Sequence, residues 1–186
     1  MDKMEYKTSD IEVVGVVFDL SLRYGSNGKQ NLDNAKKGLI EFFRKNLEDD
    51  DVMYLYHPDV VDTVNRVGAQ VAAVSNYKTD GWKFDLGLAL RQTLFILAAE
   101  PYEEKILLLV TDRLSNISVL KKISALNEKG NLGCRLICVD IGSNLPDVSF
   151  VNITHVADSS DLLDLFKEII YGKDNICSTD CGAESV

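Results

Sequence analysis

The sequence predicts an α/β protein: a doubly wound, mostly parallel central sheet with helices on both faces. Three observations carry this expectation. Ile11–Asp19, Lys105–Asp112 and Arg135–Ile141 are nearly continuous aliphatic and β-branched runs, as strands covered on both faces require. The stretches between them carry apolar residues at helical spacing. Strands and helices alternate from Ile11 to Tyr171, which implies right-handed βαβ units.

Bulk properties agree with a globular chain. It has 186 residues, 46% of them hydrophobic and 26% charged, the size and composition of one ordinary domain. Residues 1–10 read as an extension, 11–172 as the α/β domain and 173–186 as a small, polar, dispensable tail. Twenty Lys and Arg against 29 Asp and Glu leave a net charge of -9. Such a surface repels phosphate backbones and anionic lipid, so no nucleic-acid partner is expected. Leu86–Ala99, the longest oily stretch, is broken by Arg91, Gln92 and Thr93 and is too short to span a bilayer, so no membrane insertion is expected. The first residues lack the basic start and apolar run of a signal peptide, and the expected compartment is the cytoplasm.

The elements follow in order. The first strand ends at Asp19, and a Gly-rich loop, Arg23 to Lys29, comes next. Asn31 is the expected N-cap of the first helix, with Asp33 in its first turn. Leu32, Ala35, Leu39, Phe42 or Phe43, and Leu47 form its apolar stripe, and the acidic run Glu48–Asp51 ends it. Val52–Tyr56 is a short strand, turned at His57-Pro58. Val60–Tyr77 admits a short helix or an edge strand, and Ala69–Val74 is small and apolar enough for a strand. Asp80-Gly81 marks a turn. Asp85 caps a helix carrying Leu86, Leu90, Leu94 and Leu97, which Pro101 stops. After the Lys105–Asp112 strand, Ser115 or Asn116 starts a helix bearing Val119, Leu120, Ile123 and Leu126. Gly130 is its expected C′ residue. Arg135–Ile141 closes at Gly142, and Val151–Val156 is the last strand. Ser160 caps a final helix with Leu162, Leu163, Phe166, Ile169 and Ile170.

The four cysteines carry little chemistry. Cys134 and Cys138 share one face of a strand, about 13 Å apart at about 3.3 Å per residue, too far for a mutual disulfide. They read as buried thiols. Cys177 and Cys181 sit in the polar tail. They could pair or form half a metal site, but no second Cys/His pair at zinc spacing joins them.

The informative segment is Asp19-Leu20-Ser21-Leu22-Arg23. A carboxylate and a hydroxyl two residues apart, in a loop beyond a strand end, can face one point. Asp112 would arrive from a neighbouring strand, at the sheet edge where ligands bind in such folds. Hard cations such as Mg²⁺ take oxygen ligands in clusters of this kind. Here the sequence resembles a von Willebrand factor A domain, a Rossmann-like fold. That family carries an Asp-x-Ser-x-Ser motif after the first strand, a Thr from a middle loop and an Asp after the fourth strand, together its metal-ion-dependent adhesion site. The resemblance covers roughly Ile11 to Tyr171. It includes Leu107–Asp112, the Gly81–Leu90 entry to a helix, and the closing Phe150–Asp158 strand with Leu162–Ile170.

The resemblance implies metal ligands at Asp19, Ser21 and Asp112. Two departures make that site vestigial. Arg23 stands at the second Ser, and the Thr position falls near Lys83 or Phe84, with Thr79 out of register. A fixed guanidinium beside a divalent ion is unfavourable, whereas it suits Asp19 and Asp112 as a planar fork. No cofactor is therefore expected, beyond weak Mg²⁺. The resemblance implies a protein-interaction module, not an enzyme, taking a protein partner near Arg23, Tyr24, Trp82 and Arg113. Trp82 and Phe84 serve either as packing for the following helix or as an aromatic anchor for that partner.

The alternative is an enzyme of another doubly wound fold, phosphatase-like with Mg²⁺ or nucleotide-dependent. The residues argue against it. Gly25–Gln30 has a P-loop flavour, but Arg23 replaces the first Gly and Gln30 the Ser/Thr. Asp19-Leu20-Ser21 lacks the second Asp of haloacid-dehalogenase-type phosphatases. His57 reads as a turn residue and His155 as a strand residue, neither paired for catalysis.

Overall fold

The computed structural model describes residues 13–19, 28–46, 52–56, 61–65, 67–76, 85–111, 117–142, 145–156 and 162. The elements in chain order are β1 (Val13–Phe18), α1 (Gly28–Asn46), β2 (Val52–Tyr56), β3 (Val61–Asn65), α2 (Val67–Asn76), α3 (Leu86–Ala99), β4 (Lys105–Thr111), α4 (Ile117–Gly130), β5 (Cys134–Ile141) and β6 (Asn152–Val156). They form one six-stranded sheet in the order β3-β2-β1-β4-β5-β6. Every neighbouring pair is parallel except β2–β3, which is antiparallel. The strand order reverses between β1 and β4, so a crevice opens there beyond the carboxyl ends of these two strands.

Strand alternation sorts the apolar residues into two cores. One face holds Val14, Val16 and Phe18 of β1 with Ile106, Leu108 and Val110 of β4, packed against Ala35 and Leu39 of α1 and Val74 of α2. Leu162, helical and 1% exposed, joins this core. The other face holds Val13, Val17, Leu107, Leu109 and Cys138, covered by Leu90, Leu94 and Leu97 of α3 and by Leu120 and Ile123 of α4. Helix α3 lies almost on the β1 backbone. A Cβ on Gly15 would stand 2.4 Å from Thr93 Cγ2 and 2.9 Å from Leu97 Cδ1, so only glycine admits this approach.

Several local expectations hold. Asp85 is the N-cap of α3, its carboxylate accepting the Leu88 N–H at 3.0 Å. Pro101 follows the Glu100 C-cap. Cys134 and Cys138 are buried free thiols in the same core. Three expectations need correction. Helix α1 begins at Gly28, which places Asn31 and Asp33 inside the helix and not at its cap. Ala69–Val74 is helical, within α2, and the edge strand is β3 just before it. The left-handed residue after α4 is Asn131, at φ 48°, not Gly130. The Leu132 N–H reaches the Asn127 carbonyl at 3.0 Å and the Asn131 N–H that of Glu128 at 3.1 Å. These are the two bonds of a Schellman closure, and Asn tolerates its left-handed position. The Asn127 side chain then clamps Cys134 at the start of β5, donating to its carbonyl at 2.8 Å and accepting its N–H at 3.2 Å.

The predicted Ser160 cap, the extension at 1–10, and the tail with Cys177 and Cys181 lie outside the described residues, as does His57.

Candidate functional site at the carboxyl edge of the sheet

Asp19 is the residue immediately after β1, and it is 1% exposed. Its N–H continues the ladder to the Val110 carbonyl at 2.9 Å. Its carboxylate Oδ2 accepts the Thr111 hydroxyl at 2.6 Å. Thr111 is fully buried at the end of β4 and covalently precedes Asp112. The register pairs Phe18 with Val110. Asp19 and Thr111 therefore stand side by side at the point where the strand order reverses. Ser21, Arg23, Tyr24, Trp82, Asp112 and Arg113 lie outside the described residues, so Asp19 alone of the sequence-predicted site is placed here.

A second set of polar groups extends this edge across the sheet. Strand alternation puts Asp140 of β5 on the same face as Cys138, one residue short of the strand end. Register pairs Thr111 with Asp140 and Asp140 with His155 of β6. Asp19, Thr111, Asp140 and His155 thus form one polar row along the carboxyl edge, above the core that α3 and α4 cover. Asp140 is fully buried. Its Oδ2 accepts the Leu145 N–H at 2.8 Å and lies 2.9 Å from His155 Nδ1. Its Oδ1 has no partner among the described residues. His155 Nε2 reaches Asp147 Oδ1 at 3.0 Å.

Among the described residues, neither His155 nor the two cysteines is arranged for nucleophilic catalysis. Both nitrogens of His155 face carboxylates, so neither is directed at a hydroxyl or thiol that it could activate. Cys138 is fully buried, and burial, reinforced by the charges of Asp140 and Asp19, pushes its thiol far up. Burial also raises Cys134, against a smaller opposing effect of Lys105. Neither supplies a thiolate near neutral pH.

Sequence reasoning found Asp19 and placed His155 correctly in a strand, but missed its pairing with Asp140. One signal was present: a third buried strand carries an Asp next to its carboxyl end, as the first and the Lys105–Asp112 strands do.

No protein-family model and no curated protein sequence matches the chain. Solved structures do match. Proximal thread matrix protein 1 from the mussel byssus superposes with a TM-score of 0.62 at 16% identity, over 86% of this chain and 46% of that one. Another structure of the same mussel protein is described as having a zinc-occupied MIDAS motif. A von Willebrand factor type A protein from Catenulispora acidiphila matches with a TM-score of 0.61 at 17% identity, over 86% and 42%. The PilB minor pilin from Streptococcus sanguinis, as its D319A mutant, gives 0.61 at 14% identity, over 86% and 60%. The chain spans less than two thirds of each of these neighbours. Strand order, the antiparallel edge strand and these superpositions agree: the chain has the von Willebrand factor A fold.

Proposed function

We propose that the chain is a protein-interaction module that takes its partner at the carboxyl edge of the sheet, without a metal ion. The observation that carries this reading is the buried Asp19–Thr111 hydrogen bond at the strand-order reversal. It fixes a carboxylate at the crevice where this fold presents ligands. The neighbours support the interaction class. One is named a thread matrix protein and another a minor pilin.

The metal is not carried over from the mussel protein. Asp19, Ser21 and Asp112 supply matching oxygens, but Arg23 replaces a hydroxyl and Lys83 or Phe84 stands where the Thr belongs. Asp19 Oδ2 already accepts the Thr111 hydroxyl. This donor set does not suit a divalent ion, which needs several oxygen ligands and no competing cation. In this reading Arg23 bridges the two aspartates by charge, and Tyr24, Trp82 and Arg113 supply the partner-facing surface. Among the described residues no helix is long and apolar enough to cross a membrane.

The test is partner capture by the intact chain, with and without chelator, alongside calorimetric titration of Mg²⁺ and Mn²⁺. Arg23→Glu and Trp82→Ala should abolish capture, and Arg91→Glu, on the exposed side of α3, should not. Chelator should leave capture unchanged. Stoichiometric metal binding that disappears in Asp19→Ala would restore a metal-dependent site and with it the hydrolase alternative. Capture indifferent to both edge variants would move the interface elsewhere.

A further inference from the structure

The connection from β5 to β6 returns to the sheet edge at Leu145, whose side chain is 4% exposed within the core under α3 and α4. Its N–H is held by Asp140. Two residues later, Asp147 is 92% exposed yet meets the ring of His155, which is 28% exposed. A single imidazole therefore stands between a buried carboxylate on the sheet and a solvent-facing carboxylate on the connection. We infer that His155 is a protonation-dependent clamp that fastens Leu145–Asp147 to the sheet edge and releases its Asp147 half when the ring loses a proton.

The chemistry of the ring dictates which half opens. Doubly protonated imidazole donates from both nitrogens, one to each carboxylate. The neutral ring keeps one N–H. Asp140 is buried and cannot turn to water, so the remaining proton stays on Nδ1, where losing it would strand a desolvated charge. Nε2 then directs a lone pair at the Asp147 carboxylate. Like electron density repels, and Asp147 is free to turn into solvent. The buried half, Asp140 with Leu145, stays closed.

The charges acting on the ring, among the described residues, are Asp140 from β5 and Asp147 from the connection. Helix α4 packs on the same connection through the Ser124 hydroxyl, 2.7 Å from the Phe150 carbonyl, and its Glu128 is turned to Ser124 at 3.2 Å. The hydrogen bond to Asp140 raises His155 above the ordinary 6.5; burial opposes this, and Asp147 adds to the rise. The clamp is thus closed below 6.5 and opens as pH rises through the elevated value.

The experiment is a nuclear magnetic resonance titration of the intact chain. It follows the ring nitrogens of His155, the amide-exchange protection of Leu145 and the side-chain rotamer couplings of Asp147. The expected result is titration above 6.5, a neutral form protonated at Nδ1, and Asp147 couplings that pass from one rotamer to an average through the transition while Leu145 stays protected. Asp147→Asn changes a solvent-exposed side chain and should not threaten folding. It should lower the His155 titration. Titration at or below 6.5, a neutral form protonated at Nε2, or Asp147 couplings that ignore pH would each overturn the clamp. So would an Asp147→Asn chain that titrates as the unmodified one does.

Discussion

Asp19 and Asp140 are two buried carboxylates at the same edge and on the same face of one sheet, with β4 between their strands. They are held in different ways. Asp19 accepts a hydroxyl from Thr111, a group that stays neutral across the whole physiological range. Asp140 accepts a backbone N–H and faces an imidazole, whose charge changes near neutrality. The Thr111 bond at the centre of the edge therefore has a donor that does not titrate, while the imidazole at the β5–β6 flank does. One row of polar groups thus combines a neutral donor at its centre with a titrating one at its border.

The largest effect should come from removing the flank carboxylate. Asp140→Ala leaves the buried Leu145 N–H and His155 Nδ1 without their acceptor. A buried donor left unsatisfied costs about 1–3 kcal/mol, and more where a charge is involved. We expect a loss of about 3 kcal/mol in urea unfolding at pH 6, where the ring is charged. A loss under about 1 kcal/mol would show that water satisfies these groups and that the flank is not tightly held.

A second variant tests whether the two carboxylates are mechanically separate. Gly15→Ala drives a methyl against Thr93, whose χ1 is stiff and whose hydroxyl already donates to the Ala89 carbonyl at 2.9 Å. Helix α3 must lift from β1, at about 2 kcal/mol, as overpacking usually costs. The change lies on the strand of Asp19 and three strands away from His155. Unfolding midpoints should fall while the His155 titration stays where it was. A shifted titration would join the two regions into one unit.

How much of this was legible in the sequence depends on the range of the interaction. Strand β4 was plain, because an unbroken Ile-Leu-Leu-Leu-Val run has no other home than a doubly covered strand. Helix α3 was plain through its Asp85 cap and its Leu spacing. Helix α2 was not, since Val-Gly-Ala-Gln-Val-Ala-Ala-Val is short and apolar at both periods, and periodicity cannot arbitrate such runs. The start of α1 was missed because Asn31 and Asp33 imitate a cap that the helix, begun at Gly28, does not use. At the edge, Asp19 was visible as a local motif. The Asp140–His155 pair was not, because 15 residues separate the partners and only the β5–β6 register brings them together.

The third expectation isolates the neutral side. Thr111→Val keeps the shape and removes the hydroxyl that donates to Asp19 Oδ2. The cost should be about 1.5 kcal/mol, the range of a lost hydrogen bond to a charged acceptor. It should be the same from about pH 6 to about pH 8, because the hydroxyl that is removed does not ionise in that interval. Urea midpoints at both ends of the interval measure it. A cost that shrinks as pH rises would place a titrating group beside Asp19 and erase the contrast between centre and flank.

The smallest effect is the one that turns the contrast into a curve. His155→Gln keeps a donor for Asp140 but removes the ionisation. His155 sits above 6.5 in the folded chain, so the folded state binds the proton more tightly than the unfolded one. That linkage stabilises the fold fully below 6.5 and is lost as pH rises through the elevated folded value. The stability difference between the unmodified chain and His155→Gln should therefore be greatest in mild acid and fall towards a plateau in mild alkali, with the Thr111→Val difference flat over the same range. Paired urea unfolding curves from about pH 5.5 to about pH 9 span the window on both sides of an ordinary histidine. If the difference grows with pH instead, the ring is stabilised in its neutral form, and the two carboxylates do not hold it as the geometry indicates. The sign of that slope separates a charged imidazole gripped between Asp140 and Asp147 from a neutral one that fills space at the end of β6.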